Sequence, residues 1–251
     1  MNRFAEYTFA VRAHHCGADG RLKIQCLFDF FQDAASDHAE SLGCGWSMLE
    51  REKKLWVLSR IRVGISRMPR LGSEVTVKTW PSGFDKLFAI RQFLLRDADG
   101  AELACGTSAW LLLDAERMRP LRVAQSLPIV LPDNSGEPCY FDTPEKLMEL
   151  PADLPREVFP VRRSHIDVNQ HLNNAFYAAF TGDTLGDRLG RNADFAELQI
   201  NFQHEALAGD RICCAAAEDD VADFLVDGRS PDGSILYFQA AAKLRSGKEV
   251  L

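Results

Sequence analysis

The sequence predicts an α+β fold of two tandem units, each an antiparallel sheet packed on one long helix. Three observations lead there. Each half holds a single long stretch with apolar residues at three- and four-residue steps, the signature of a helix burying one face. In each half that stretch is followed by four short strand-like segments bounded by turn residues. Between the halves, Pro120, Pro128, Pro132, Pro138, Pro144, Pro151 and Pro155 mark a segment that reads as a linker.

The elements follow in order. Tyr7-Thr8-Phe9-Ala10-Val11-Arg12 alternates as a short strand, and Gly17-Ala18-Asp19-Gly20 is a turn. Leu27, Phe30, Phe31, Ala34, Ala35, His38 and Leu42 then share one helix face, with Gly43 placed to stop the helix. Strands are expected at 55–67, 73–81, 86–96 and 102–113, the last two joined by the turn Arg96-Asp97-Ala98-Asp99-Gly100. The second half repeats the order. An extended stretch at 157–163 precedes a helix near 172–189, then strands at 195–203, 210–218, 221–228 and 234–244. Its last turn is Ser230-Pro231-Asp232-Gly233. The expected organisation is therefore residues 1–118, a linker at 119–156 in which Tyr140 and Phe141 can pack locally, and residues 157–251.

Bulk properties exclude several classes. Hydrophobic residues at 46% and charged residues at 26% are ordinary for a globular chain and argue against extended disorder. A formal net charge of −7 disfavours general attraction to nucleic acid or an anionic membrane. No apolar run approaches the roughly 18 residues needed to cross a bilayer, and the N-terminus lacks the apolar core of a signal peptide. The expectation is a cytoplasmic protein. The seven cysteines include no C-x-x-C pair, so no zinc site is implied, and Cys213-Cys214 reads as two small strand residues facing opposite ways.

The most informative stretch is Arg162-Arg163-Ser164-His165-Ile166-Asp167-Val168-Asn169-Gln170-His171-Leu172-Asn173-Asn174-Ala175-Phe176-Tyr177. It puts Asp167, Asn169 and His171 on alternate positions just before the second helix. A charged acceptor, a neutral amide donor and a group that titrates near neutral pH can thus converge on one small volume. That combination suits attack on a carbonyl. Each residue alone is commonly structural, Asp and Asn as turn or cap residues above all.

The motif Asp167-x-Asn169-x-His171-x-Asn173-Asn174-x-x-Tyr177 resembles that of the acyl-acyl carrier protein thioesterases of plants and bacteria, which are double hotdog folds. The likeness extends to Gly17-Ala18-Asp19 with Leu27-Phe28-Asp29-Phe30-Phe31-Gln32-Asp33-Ala34-Ala35-Ser36-Asp37-His38-Ala39. It continues in Leu55-Trp56-Val57-Leu58-Ser59-Arg60, Thr79-Trp80 and Thr107-Ser108-Ala109-Trp110, and so covers about residues 4–245. The family's catalytic carboxylate lies on the strand after the second helix in an aromatic-x-x-Glu context, and Phe202-Gln203-His204-Glu205 occupies that place. The resemblance therefore implies a catalytic set of Asp167, Asn169, His171 and Glu205. Some members carry cysteine after this glutamate; here Ala206 stands there, so no cysteine nucleophile is offered at that point.

Thioester hydrolysis needs an activated nucleophile, donors for the developing oxyanion and a route for the proton. Glu205 is the candidate to hold and deprotonate water, with His171 sharing or orienting the proton. Asn169 can donate its amide to the thioester oxygen, helped by unpaired N–H groups at the start of the second helix. Asp167 either orients Asn169 or His171 or attacks directly, and the sequence leaves both open. No metal or organic cofactor is required by this chemistry.

The first half has no Asp-x-Asn-x-His segment. By resemblance it takes the acyl chain, and Phe28, Phe30, Phe31, Trp56, Trp80 and Trp110 read as wall or core residues. His14 and His15 lie near a turn, His38 reads as a hydrogen-bonded core residue, and His165 and His204 flank the site without joining the reacting groups. The implied partner is acyl carrier protein. Arg51, Lys53, Lys54, Arg60, Arg62, Arg67 and Arg70, with Arg162 and Arg163, supply cations of which a part could meet an acidic carrier. Pairing of two copies through sheet edges is compatible with such a fold. Three rival readings stand beside this one: an acyl-coenzyme A thioesterase, a non-catalytic acyl-binding module and, weakest, a dehydratase-type hotdog.

Overall fold

The structure, a computed structural model, describes residues 3–245. The chain divides into two compact units, Met1–Glu145 and Lys146–Leu251, and the division falls inside the proline-rich segment.

The first unit comprises β1 (Ala5–Ala10), α1 (Ile24–Ser41), α2 (Trp46–Glu52), β2 (Lys54–Ile65), β3 (Glu74–Asp85), β4 (Phe88–Asp97), β5 (Glu102–Asp114), β6 (Arg119–Leu121) and α3 (Val123–Ser126). Its strands pair antiparallel in the order β1-β3-β4-β5-β2, with β6 added to β5. The apolar stripe of α1 lies against this sheet. Phe31 stacks on Phe93 of β4 with ring centroids 4.7 Å apart, and Phe30 stacks on Phe9 of β1 at 4.5 Å. Each fully buried phenylalanine contributes roughly 1.5–3 kcal/mol. The helix approaches β5 so closely that a Cβ on Gly106 would lie 3.2 Å from the Phe31 ring. Beyond Ser41 the chain turns at Gly43 (φ 78°), whose N–H donates to the Glu40 carbonyl.

His38 is completely buried, in the core role expected of it. Arg91 of β4 donates through Nη1 to His38 Nδ1 and to Thr79 Oγ1, both at 3.2 Å. A guanidinium can only donate, so the histidine carries its proton on Nε2. Burial lowers the Arg91 pKa to about 10.

The second unit contains β7 (Glu157–Pro160), α4 (Asn174–Leu189), β8 (Phe195–Phe202), β9 (Arg211–Glu218), β10 (Phe224–Arg229) and β11 (Leu236–Leu244). Its order is β7-β9-β10-β11-β8, again antiparallel throughout, so the β1-β3-β4-β5-β2 order of the first unit is repeated. Asn173 caps α4 by accepting the Ala175 N–H at 2.8 Å, and Gly190 (φ 65°) ends it. The Tyr177 ring packs edge-on against Phe238 of β11 and Phe202 of β8.

The proline-rich segment is pinned to both sheets. Gln92 Oε1 accepts the Tyr140 N–H, Thr107 Oγ1 accepts that of Phe141, and Arg62 lies over the Phe141 ring. In the second unit Gln239 donates to the Met148 carbonyl at 2.6 Å. Fully buried Asp227 accepts from Arg156 at 2.7 Å and Arg229 at 2.9 Å, and Arg229 also reaches Glu149.

Candidate active site

Sheet and helix of the second unit meet through a short loop whose shape is set by its own backbone. Val161 N–H donates to Asp210 O, and Gly209 N–H returns to Val161 O, which fixes the end of β7. A single 3₁₀ turn, Arg163–His165, follows. Ile166 and Leu172 then form an antiparallel bridge, closing 167–171 into a tight loop. Inside it, the Asp167 N–H donates to His171 O, and the Gln170 N–H donates to Asp167 O, both at 3.0 Å. Asp167 Oδ1 accepts the Asn169 N–H at 2.8 Å, an Asx turn. Gln170 sits in the left-handed region at φ 67°, a conformation that non-glycine residues adopt at a cost.

The loop brings Asp167, Asn169 and His171 together on one short closure, Asn169 exposed and the other two half-buried. His171 Nδ1 lies 3.2 Å from the Leu172 carbonyl. A carbonyl can only accept, so Nδ1 carries the proton and Nε2 is left as the basic nitrogen.

Glu205 is linked to the loop through its neighbour. The strand expected to carry it ends at Phe202, so Glu205 lies past the strand, in the connection to β9, and its side chain is exposed. Its neighbour Ala206 accepts the Leu172 N–H at 2.8 Å. That backbone bond ties the exit of the loop to the segment holding the glutamate, with His171 and Glu205 one residue before its donor and acceptor. Tyr177 reaches the same segment, its hydroxyl donating to His204 O at 3.4 Å. Its pKa is raised, by burial first and then by neighbouring negative charges that include Glu205.

The helix-start amides expected to help with an oxyanion are partly used. The Ala175 N–H is capped by the Asn173 side chain and the Phe176 N–H by the Asn173 carbonyl, so the Asn169 amide is the freer donor. Most of the basic run is also engaged. Arg51 pairs with Glu52, Lys53 with Glu116 and Arg67 with Asp97, while Lys54 donates to Ser126 O. Arg60 donates to Pro144 O and lies over Phe88. Arg162 and Arg163, beside the loop, are exposed.

His165 belongs to the loop more deeply than its sequence context indicates. Its Nδ1 accepts the Arg162 N–H at 3.3 Å, its carbonyl accepts the Asn173 N–H at 3.0 Å, and its ring stacks on Phe176 at 4.4 Å. The signal was present but faint: Val11, Arg12, His15, Leu22 and Val161, Arg162, His165, Leu172 follow identical spacings in the two halves.

An acyl-ACP thioesterase N-terminal domain model matches residues 2–128, and the corresponding C-terminal domain model matches residues 149–233. The chain belongs to the acyl-ACP thioesterase family. A chloroplastic palmitoyl-acyl carrier protein thioesterase of Arabidopsis thaliana is 29% identical over 212 residues, covering 78% of this chain and 51% of its own length. The dodecanoyl-[acyl-carrier-protein] hydrolase of Umbellularia californica is 28% identical over 217 residues, covering 79% of this chain and 55% of its own. The chain thus spans about half the length of the curated relatives it matches. Among solved structures, an acyl-ACP thioesterase from Bacteroides thetaiotaomicron superposes with a TM-score of 0.85 at 23% identity, covering 97% of this chain and 98% of that one. The 12:0-ACP thioesterase from Umbellularia californica gives 0.76 at 22% identity, covering 96% and 94%. These two likenesses establish the fold, a hotdog in tandem, as expected.

Proposed function

We propose that this chain hydrolyses fatty acyl-acyl carrier protein thioesters, releasing free fatty acid and carrier thiol, with Asp167, Asn169, His171 and Glu205 as the reacting set. Family membership supports the reaction class. The observation that carries the site is the Leu172–Ala206 backbone bond, which joins the Asp-x-Asn-x-His loop to the segment of Glu205. In this reading Glu205 holds and deprotonates water, and His171, basic at Nε2, shares that proton. The Asn169 amide stabilises the oxyanion as water adds to the carbonyl carbon. Collapse of the adduct expels the thiolate, which takes up the proton. Asp167, whose Oδ1 holds the Asn169 backbone, orients the amide donor.

The first unit, whose loop lacks the acid-base set, is assigned to the acyl chain. Exposed Arg162 and Arg163 support contact with an acidic carrier. Among the described residues no helix is long and apolar enough to cross a membrane. A cytoplasmic setting agrees with the bacterial structural neighbour, whereas the plant relatives are chloroplastic.

The test is hydrolysis of one acyl group presented on acyl carrier protein and on coenzyme A by the purified chain. Preference for the carrier-linked substrate is expected. A strong preference for coenzyme A would replace the substrate, and binding of both without turnover would replace the function with an acyl-binding one.

A further inference from the structure

We propose that His165 is a positioning residue that keeps the catalytic loop in its working shape only while its ring is neutral, so that protonating this one imidazole opens the loop and contributes, beside the bases Glu205 and His171, to the acidic limit of turnover. The inference rests on the proposed role of loop 166–172 and adds a device for controlling it.

The Arg162 backbone N–H points at His165 Nδ1 at 3.3 Å. An amide N–H only donates, so Nδ1 must be a bare acceptor and the ring proton must sit on Nε2. The same residue grips the other end of the loop, through the Asn173 N–H on its carbonyl and through the stack of its ring on Phe176, 4.4 Å and 25°. One side chain and its own carbonyl therefore hold the start of the loop, its exit and the first turn of α4. Asp167, Asn169 and His171 all lie between these grips.

Adding a proton at Nδ1 sets two N–H donors face to face across 3.3 Å, which destroys the bond at the loop's start. It also places a positive charge near that of Arg162. From α4 the ring meets Phe176 and Phe180, neither of which titrates. Burial, and then the charge of Arg162, lower the His165 pKa, which keeps the ring neutral near neutral pH.

The first unit carries the same clamp without the reacting residues. Arg12 N–H donates to His15 Nδ1 at 3.1 Å, Lys23 N–H donates to His15 O at 2.9 Å, and the His15 ring meets Phe30 edge-on at 5.3 Å. The device therefore shapes a loop, and His15 is a control within the same chain.

The experiment compares pH–rate profiles of acyl-carrier-protein hydrolysis for the unmodified chain, His165→Phe, His165→Gln and His15→Gln. Phenylalanine keeps the stack and removes the acceptor, whereas glutamine restores an acceptor that does not titrate. His165→Phe should lose on the order of tenfold or more in kcat with a smaller change in KM, because a displaced loop misaligns the reacting groups. His165→Gln should recover most of that loss and move the acidic limb at least about half a pH unit lower. His15→Gln should leave the limb in place. An unmoved limb in active His165→Gln, or an equal shift in His15→Gln, overturns the proposal. NMR of the unmodified chain gives a readout independent of turnover. The His165 ring should show the Nε2–H tautomer, and the amides of 166–172 should shift with the midpoint of that ring. Loop amides indifferent to its titration overturn the proposal even if hydrolysis is as proposed, and the coupling can hold even if hydrolysis is not.

Discussion

The loops entering α1 and α4 share one backbone and carry different chemistry. In the first, Gly17 N–H donates to Arg21 O, Gly20 N–H to Gly17 O and Leu22 N–H to Pro69 O. In the second, Asp167 N–H donates to His171 O, Gln170 N–H to Asp167 O and Leu172 N–H to Ala206 O. Both close with an antiparallel bridge, Cys16 with Leu22 and Ile166 with Leu172. Yet where the second loop presents Asp167, Asn169 and His171, the first presents Gly17, Asp19 and Arg21, and Met68 stands where Glu205 does. What is shared is what the backbone needs: the leucine, the clamping histidine and one position held in the left-handed region. What differs is the set proposed to act on the carbonyl. The left-handed position itself differs, being Gly20 (φ 72°) in one loop and Gln170 (φ 67°) in the other. Strain tolerated by a non-glycine residue clusters at working sites.

Substituting matched positions in the two loops breaks or sharpens this contrast. The largest effect is expected for Glu205→Ala and His171→Ala, each lowering kcat of acyl-carrier-protein hydrolysis by about 10²–10⁴-fold. Arg21→Ala, at the position matching His171, should stay within about threefold on the same assay. A Glu205→Ala protein of normal circular dichroism and near-normal rate would remove that residue from the chemistry. Asn169→Ala comes next, at about 10²-fold in kcat for one lost oxyanion donor. Asp19→Ala should instead cost about 1 kcal/mol of stability with unchanged rate, because the Asp19 carboxylate accepts the Arg21 N–H within its own turn.

Smaller effects separate the backbones. Gln170→Gly should raise the unfolding free energy by up to about 1 kcal/mol as the left-handed strain is relieved, whereas Gly20→Ala should lower it by about 1 kcal/mol, both read from urea titrations. The smallest effect distinguishes the helices. Asp29 of α1, matched by Ala179 in α4, has its pKa pushed up to about 6, by burial and then by Asp33. The folded chain holds that proton more tightly than the unfolded chain, so its stability falls as pH rises from the ordinary carboxylate value through about 6. Asp29→Asn should raise Tm by about 2 °C at pH 8 and by nothing measurable below about pH 4, read by thermal scans across pH.

Much of the architecture was legible in short-range pattern. Apolar residues three and four apart located α1 and α4, and alternation located the strands, because both signals arise from the residues that carry them. Three features escaped. The seven residues of α2 are too few for a period, and Met48 earns its place only by packing on Leu42 and Cys44. The strand expected at 73–81 runs on to Asp85 through a register shift between Pro81 and Gly83, with Gly83 at φ 117°. The prolines at 120–155 described the composition of the connecting segment and not the hydrogen bonds that hold it to each sheet.

The candidate site divides in the same way. Asp167, Asn169 and His171 could be read directly, since alternate positions on one short loop are neighbours in space as well as in sequence. Glu205 was reached only through family resemblance, and its place beyond the end of β8 was set by the fold. The sequence by itself determined two helix-and-sheet units and the residue types gathered before the second helix. Tertiary structure alone decided that Leu172 bonds to Ala206 and that His165 clasps both ends of the loop. Periodicity reports which face of an element is buried, but a backbone bond between distant segments depends on how the sheet curls around its helix.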